Sequence, residues 1–163
     1  MQDDSLWEYS LAVYGRRGVE PLLLQLQDDY GMDINLLLAA CWLAGAGREL
    51  AEPKLSEALR ESEPWNAGCI GPLRSARRFL KGVPGREAFR ERLKALELEA
   101  EQLQQQTLCT ILRDSPVTSD KEGFGSLALK NIRGYAARRR GGKWLEMATV
   151  VEALVALLDE GGH

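Results

Sequence analysis

A chain of 163 residues, 45% hydrophobic and 28% charged, is the size of one soluble globular domain with enough apolar mass for a real core. Its formal net charge of −3 supplies no overall pull towards nucleic acid or anionic lipid, so such binding would need a local basic patch. His163 is the only histidine and the last residue, which excludes histidine-based acid–base catalysis, activated Ser-His or Cys-His nucleophiles and histidine metal sites.

The chain starts with Met1, Gln2, Asp3, Asp4 and Ser5, acidic residues without the basic and apolar regions of a secretory signal. The longest apolar run, 34–46, is shorter than the roughly 20 residues that span a bilayer. The expectation is a soluble cytoplasmic protein with no membrane partner. Asp3, Asp4 or Ser5 can cap a first helix over 6–14, striped by Leu6, Trp7, Ser10, Leu11, Val13 and Tyr14. Residues 15–18 form a turn, and Pro21 falls near the start of the next helix, where its missing N–H costs nothing. That helix sets Val19, Leu22, Leu23, Leu26 and Tyr30 on one face and stops at Gly31 in the left-handed conformation. Asp33 then caps a third helix over 34–44 that is apolar almost all round. A helix without a solvent face has to be wrapped by its neighbours, so this one is the expected centre of the fold. Asn35 is its one strongly polar interior residue and needs a partner if buried.

Gly45 and Gly47 end the third helix, and residues 53–62 suit a short exposed one. Another opens at Pro64 and Trp65 and runs to Lys81 with Trp65, Ile70, Leu73, Ala76 and Leu80 inward. Gly68, Gly71 and Pro72 predict a kink or break within it. After a break at 82–85, the longest segment, 86–113, repeats Phe89, Leu93, Leu96, Ala100 and Leu103 at 4-3-4-3 spacing before drifting to Leu108, Ile111 and Leu112. Two heptads are fewer than a secure coiled coil needs, and a long helix packed in a bundle is the simpler reading. Residues 114–125 read as a flexible polar loop, long for a compact bundle. Helices over 126–140 and 143–160 follow, the last with Trp144, Met147, Ala148, Val151, Leu154, Val155 and Leu158 on one face. With no strand-like alternation and no repeat, the expected fold is all-α: a single domain over 1–163, a bundle of about seven or eight helices around the buried third.

Chemistry-bearing residues are few. Arg74, Arg77, Arg78 and Lys81 share one helix face at i, i+3, i+4, i+7 and could hold phosphate, an acidic helix or nucleic acid. The same face could equally be solvated or paired with Glu97, Glu99 and Glu101, of which Glu97 and Glu101 lie one turn apart. Gln102, Gln104, Gln105 and Gln106 give that helix a side suited to solvent or a partner. Arg133, Arg138, Arg139, Arg140 and Lys143 form a second basic cluster at a helix C-terminus, where the dipole alone favours cations. Asp28, Asp29 and Asp33 weakly resemble the magnesium-binding aspartates of isoprenoid synthases, but Gly31 interrupts the helix and capping accounts for them better. Cys41, Cys69 and Cys109 stand far apart without zinc spacing, and Cys41 inside an apolar helix reads as a small hydrophobe. No catalytic residue, metal ligand or cofactor is expected.

Leu6-Trp7, Ser10-Leu11-Ala12-Val13-Tyr14, Gly18-Val19, Leu24-Gln25-Leu26-Gln27-Asp28, Gly31, Asn35-Leu36-Leu37-Leu38 and Trp42-Leu43-Ala44 make a fairly specific pattern. Trp65, Pro72-Leu73-Arg74, Arg77-Arg78, Lys81 and Glu97-Leu98-Glu99-Ala100-Glu101 continue it. Over most of its length the chain resembles a family of small gammaproteobacterial proteins of unknown function. The resemblance implies a bacterial setting and a helical fold, and brings no activity, cofactor or site. The functional expectation is a non-enzymatic cytoplasmic adaptor or regulator. It would hold an acidic protein partner through Arg74, Arg77, Arg78 and Lys81, with Glu97 and Glu101 beside them. One rival is nucleic-acid binding through Arg133, Arg138, Arg139, Arg140 and Lys143. The other is a magnesium- or carboxylate-dependent enzyme on a phosphorylated small molecule, with a pocket where Asp28, Asp29 or Asp33 faces arginines.

Overall fold

The structure, a computed structural model, describes residues 5–118, 121–139 and 143–160. Among them are eight α-helices: α1 (Ser5–Tyr14), α2 (Val19–Tyr30), α3 (Ile34–Gly45), α4 (Lys54–Trp65), α5 (Gly71–Phe79), α6 (Glu87–Leu112), α7 (Phe124–Ala137) and α8 (Trp144–Glu160). A π-helical turn, Asn66–Ile70, joins α4 to α5. The fold is all-α, and the described residues contain no strand, only an isolated antiparallel bridge between Arg48 and Val117.

Helix α3 starts where the Asp33 carboxylate accepts a hydrogen bond from the Asn35 backbone N–H at 2.8 Å, filling a donor the first turn leaves open. Just before it, Gly31 takes φ 64°. Its N–H donates to the Gln27 carbonyl at 3.1 Å, and that of Met32 to Leu26 at 3.0 Å, which ends α2 in a left-handed cap. Nine residues of α3 are buried, from Asn35 to Cys41 and then Leu43 and Ala44. Helix α7 lies along it, α1, α2 and α6 close the other sides, and α8 packs across α2 and α7. Leu36, Leu37, Leu43, Leu108, Leu127 and Tyr135 all meet in this one core. Each fully buried apolar side chain there contributes about 1.5–3 kcal/mol.

Several expectations change on the far side of the molecule. Residues 53–62 are not an exposed helix, because Leu55, Ala58, Leu59 and Ser62 are buried. No break separates them from the segment after them: the helix runs through Pro64 into the π turn, and Asn66, Ile70 and Gly71 keep helical torsions. The Gly71 N–H donates to the Asn66 carbonyl five residues back, a widening that relieves the crowding Pro72 would impose on the preceding turn. Of the five residues expected inward along this stretch, Ile70 is fully buried, and Trp65, Leu73, Ala76 and Leu80 are partly buried. Part of the 114–125 segment is tied down: the Glu49 N–H donates to Pro116 and the Thr118 N–H to Gly47, both at 2.9 Å. Asp3, Asp4, residues 119–120, Arg140 and His163 lie outside the described residues. No helix among the described residues is long and apolar enough to cross a membrane.

Candidate functional site

Helix α6 turns amide side chains, not leucines, towards the start of α3. Gln104 and Gln105 are 4% and 2% exposed, which corrects the expectation of a solvent- or partner-facing glutamine side. They are buried because they complete a hydrogen-bonded chain. The Gln104 side-chain N–H donates to Asp33 Oδ2 at 2.9 Å, and its carbonyl accepts from the Asn35 amide at 2.6 Å. Gln105 donates to the Asn35 side-chain carbonyl at 2.9 Å and accepts from the Ser10 hydroxyl at 3.1 Å. Asn35 also donates to the Glu101 backbone carbonyl at 3.1 Å. Asn66, carried by the π turn, donates to Asp33 Oδ2, and Tyr135 of α7 accepts from the Asp33 backbone N–H at 3.0 Å. Five elements, α1, α3, the π turn, α6 and α7, are thus joined through polar groups that would otherwise be costly to bury.

Beside this floor stands a charged wall. Arg74 Nε and Nη2 reach Glu97 and Glu101 at 3.1 and 3.3 Å, and Arg77 binds both oxygens of Glu97. At the rim, Arg78 reaches Asp28 of α2 at 3.2 Å, with both side chains about half-exposed. Burial pushes the Glu97 carboxyl up, but hydrogen bonds and charge from Arg77 and Arg74 outweigh it and hold it below the usual glutamate range. Glu101 goes the other way, raised by burial and then by the Glu97 charge, with Arg74 opposing. Asp33 is also raised by burial, against the hydrogen bonds from Asn66, Asn35 and Gln104. Burial, then Glu20 and Glu101, push Tyr14 up to about 12.

Floor and wall enclose an open cleft of about 990 Å³ between α1 and α2 on one side and the π turn, α5 and α6 on the other. Leu11, Leu24 and Leu98 stand exposed along its lips. Arg74, Arg77, Arg78, Glu97 and Glu101 all line it; Lys81 does not. Among the described arginines of the second basic cluster, Arg139 lines it, beside Gly31, and Arg133 and Arg138 do not. The other described members of that cluster, Arg133, Arg138 and Lys143, have partners elsewhere. Arg133 lies over the Trp144 ring at 5.6 Å, Arg138 pairs with Glu52 and Ser56, and Lys143 is 3.8 Å from Glu146. Asp28 and Asp33 line the cleft with arginines around them, whereas Asp29 is exposed outside it. Among the described residues, no group of three His, Cys, Asp or Glu side chains could hold a metal ion.

A family model, Protein of unknown function (DUF2390), matches residues 5–108, more than half of the chain. The chain belongs to this uncharacterised family. The DUF2390 match spans α1 to all but the last turn of α6, and every cleft-lining residue except Arg139 falls inside it. No curated protein and no solved structure matches the chain. Asn35 could be found from sequence, as a lone polar residue in an apolar helix. Asn66, Gln104 and Gln105 could not, because a buried amide and a surface amide look alike until the partner is known.

Proposed function

We propose that this DUF2390 protein is a non-enzymatic adaptor or regulator that receives an amphipathic segment of another protein in the α1–α2/α5–α6 cleft. The observation that carries the reading is the cleft itself, about 990 Å³ with exposed leucine lips over a self-satisfied polar floor. That volume sits at the upper end of the roughly 300–1,000 Å³ of small-molecule sites, and exposed apolar lips suit a helix or peptide laid in a groove. The floor groups are saturated by one another, which supports binding over chemistry. Arg78 and Lys81 are the cations proposed to meet acidic side chains of the partner. The exposed Arg78–Asp28 pair is worth no more than about 1 kcal/mol, so a partner carboxylate can replace Asp28 at small cost. Arg74 and Arg77, held by the buried Glu97, shape the wall. Cys41, Cys69 and Cys109 are thiols and not disulfides, which supports a reducing, cytoplasmic compartment.

The test places a photo-crosslinking phenylalanine analogue at Leu11 or Leu98 in the native host, with the 91%-exposed Leu145 as the control position. A discrete protein adduct from the lip positions is expected, weakened by Arg78→Glu with Lys81→Glu. Absence of any adduct from the lips, or the same adduct from position 145, removes the cleft as the docking site.

A further inference from the structure

Helix α6 exposes three large apolar side chains on the side facing away from the cleft. Phe89, Leu96 and Leu103 are 46%, 50% and 45% exposed. Seven residues fall about 20° short of two full helical turns, so these three side chains form one stripe. Glu91, Lys94, Leu98, Glu101 and Gln105, which line the cleft, lie on the opposite side of the same helix. Two exposed charges, Arg92 and Glu99, also seven apart, run along one edge of the stripe. The Arg92 guanidinium lies 5.6 Å from the centre of the Phe89 ring.

We propose that this stripe docks a second copy of the chain, α6 against α6, antiparallel about a two-fold axis near Leu96. The order of residues carries both the occupant and the orientation. Phe89 and Leu103 stand seven residues on either side of Leu96, so the antiparallel register sets Phe89 against Leu103 of the partner subunit and Leu96 against its own copy. The same register brings Arg92 next to Glu99 of the partner subunit, twice, by symmetry. A parallel pair would instead carry Arg92 and Glu99 of one copy to the edge opposite those of the other, where the charges do not meet. A patch complementary to itself in this way is what a two-fold interface requires. Three large apolar residues per copy make a small interface, with dissociation constants in the micromolar range. The cleft faces the other way, so dimer and cleft partner can be held together, and either can fail without the other.

Sedimentation velocity over roughly 1–100 µM brackets an interface of this size. The wild-type chain is expected to shift from monomer to dimer across that range. Leu96→Glu, at a half-exposed position, should weaken the dimer at least about tenfold with its helical circular dichroism intact. Arg92→Glu alone should weaken it by about fivefold, and Arg92→Glu with Glu99→Arg should restore it. In a Cys69→Ser background, mixing Phe89→Cys with Leu103→Cys should yield a disulfide between the two variants. A monomer at the highest concentration, a dimer indifferent to Leu96→Glu and to the charge pair, or disulfides linking only like variants would overturn the proposal.

Discussion

Glu97 concentrates the electrostatics of the cleft wall. The residue is 6% exposed, and its carboxylate takes hydrogen bonds from both Arg74 and Arg77. Replacing it with Gln leaves two guanidiniums facing a neutral amide, at an expected cost of about 2–3 kcal/mol near pH 7. The sign of the pH dependence follows from its lowered pKa. Above the ordinary glutamate range both folded and unfolded chains are ionised, and the pairing energy is fully present. As pH falls through the lower folded value, the proton binds and the contribution is lost. Urea unfolding of wild type and Glu97→Gln should therefore differ at neutral pH and converge on acidification; a gap that is flat or grows would show that the pair is not a source of stability. Glu97 was legible as a possible arginine partner from its i, i+4 relation to Glu101. Its burial was not, since nothing local distinguishes it from the exposed Glu99.

At the scale of elements, the π turn decides the shape of the site. It keeps α4 and α5 in line and carries Asn66 to the Asp33 carboxylate. Gly71 makes this possible: a Cβ there would stand 2.8 Å from the Asn66 backbone oxygen, while one at Gly68 meets nothing within 4 Å. Gly71→Ala should cost about 1–3 kcal/mol and speed amide exchange around 66–71. Gly68→Ala should be neutral or add up to about 1 kcal/mol through helix propensity. Equal melting shifts for the two would refute a specific role for the turn. Gly68, Gly71 and Pro72 marked the irregularity in the sequence, but composition alone could not choose between a break, a kink and an extra residue in the turn. Pro64 suggested a helix start, and tertiary packing of Leu55, Ala58 and Leu59 carried the helix through it instead.

For the molecule as a whole, the family match stops near the end of α6 while the core does not. Leu127, Ile132 and Tyr135 of α7 and Val151 and Leu154 of α8 belong to the same buried cluster as α3, and Tyr135 also receives the Asp33 backbone N–H. A fragment over 1–112 would open that face of α3 to water, forfeiting several side chains each worth about 1.5–3 kcal/mol. It should show no cooperative thermal transition and should bind hydrophobic dye; a sharp melt with wild-type helicity would mean that α7 and α8 are accessory.

Residue order alone determined that the chain is all-helical, that its third helix has no solvent face, and where Gly31 and Asp33 end one helix and start the next. These follow from local causes: periodicity, capping and left-handed glycine. Tertiary structure decided which polar residues go inside. Gln104 and Gln105 are buried because Asp33, Asn35 and Ser10 meet them from other elements, and Phe89, Leu96 and Leu103 are left outside because nothing in the described fold covers that side of α6. Burial of an amide is stable only when its partners arrive with it, and those partners are up to 95 residues away in sequence.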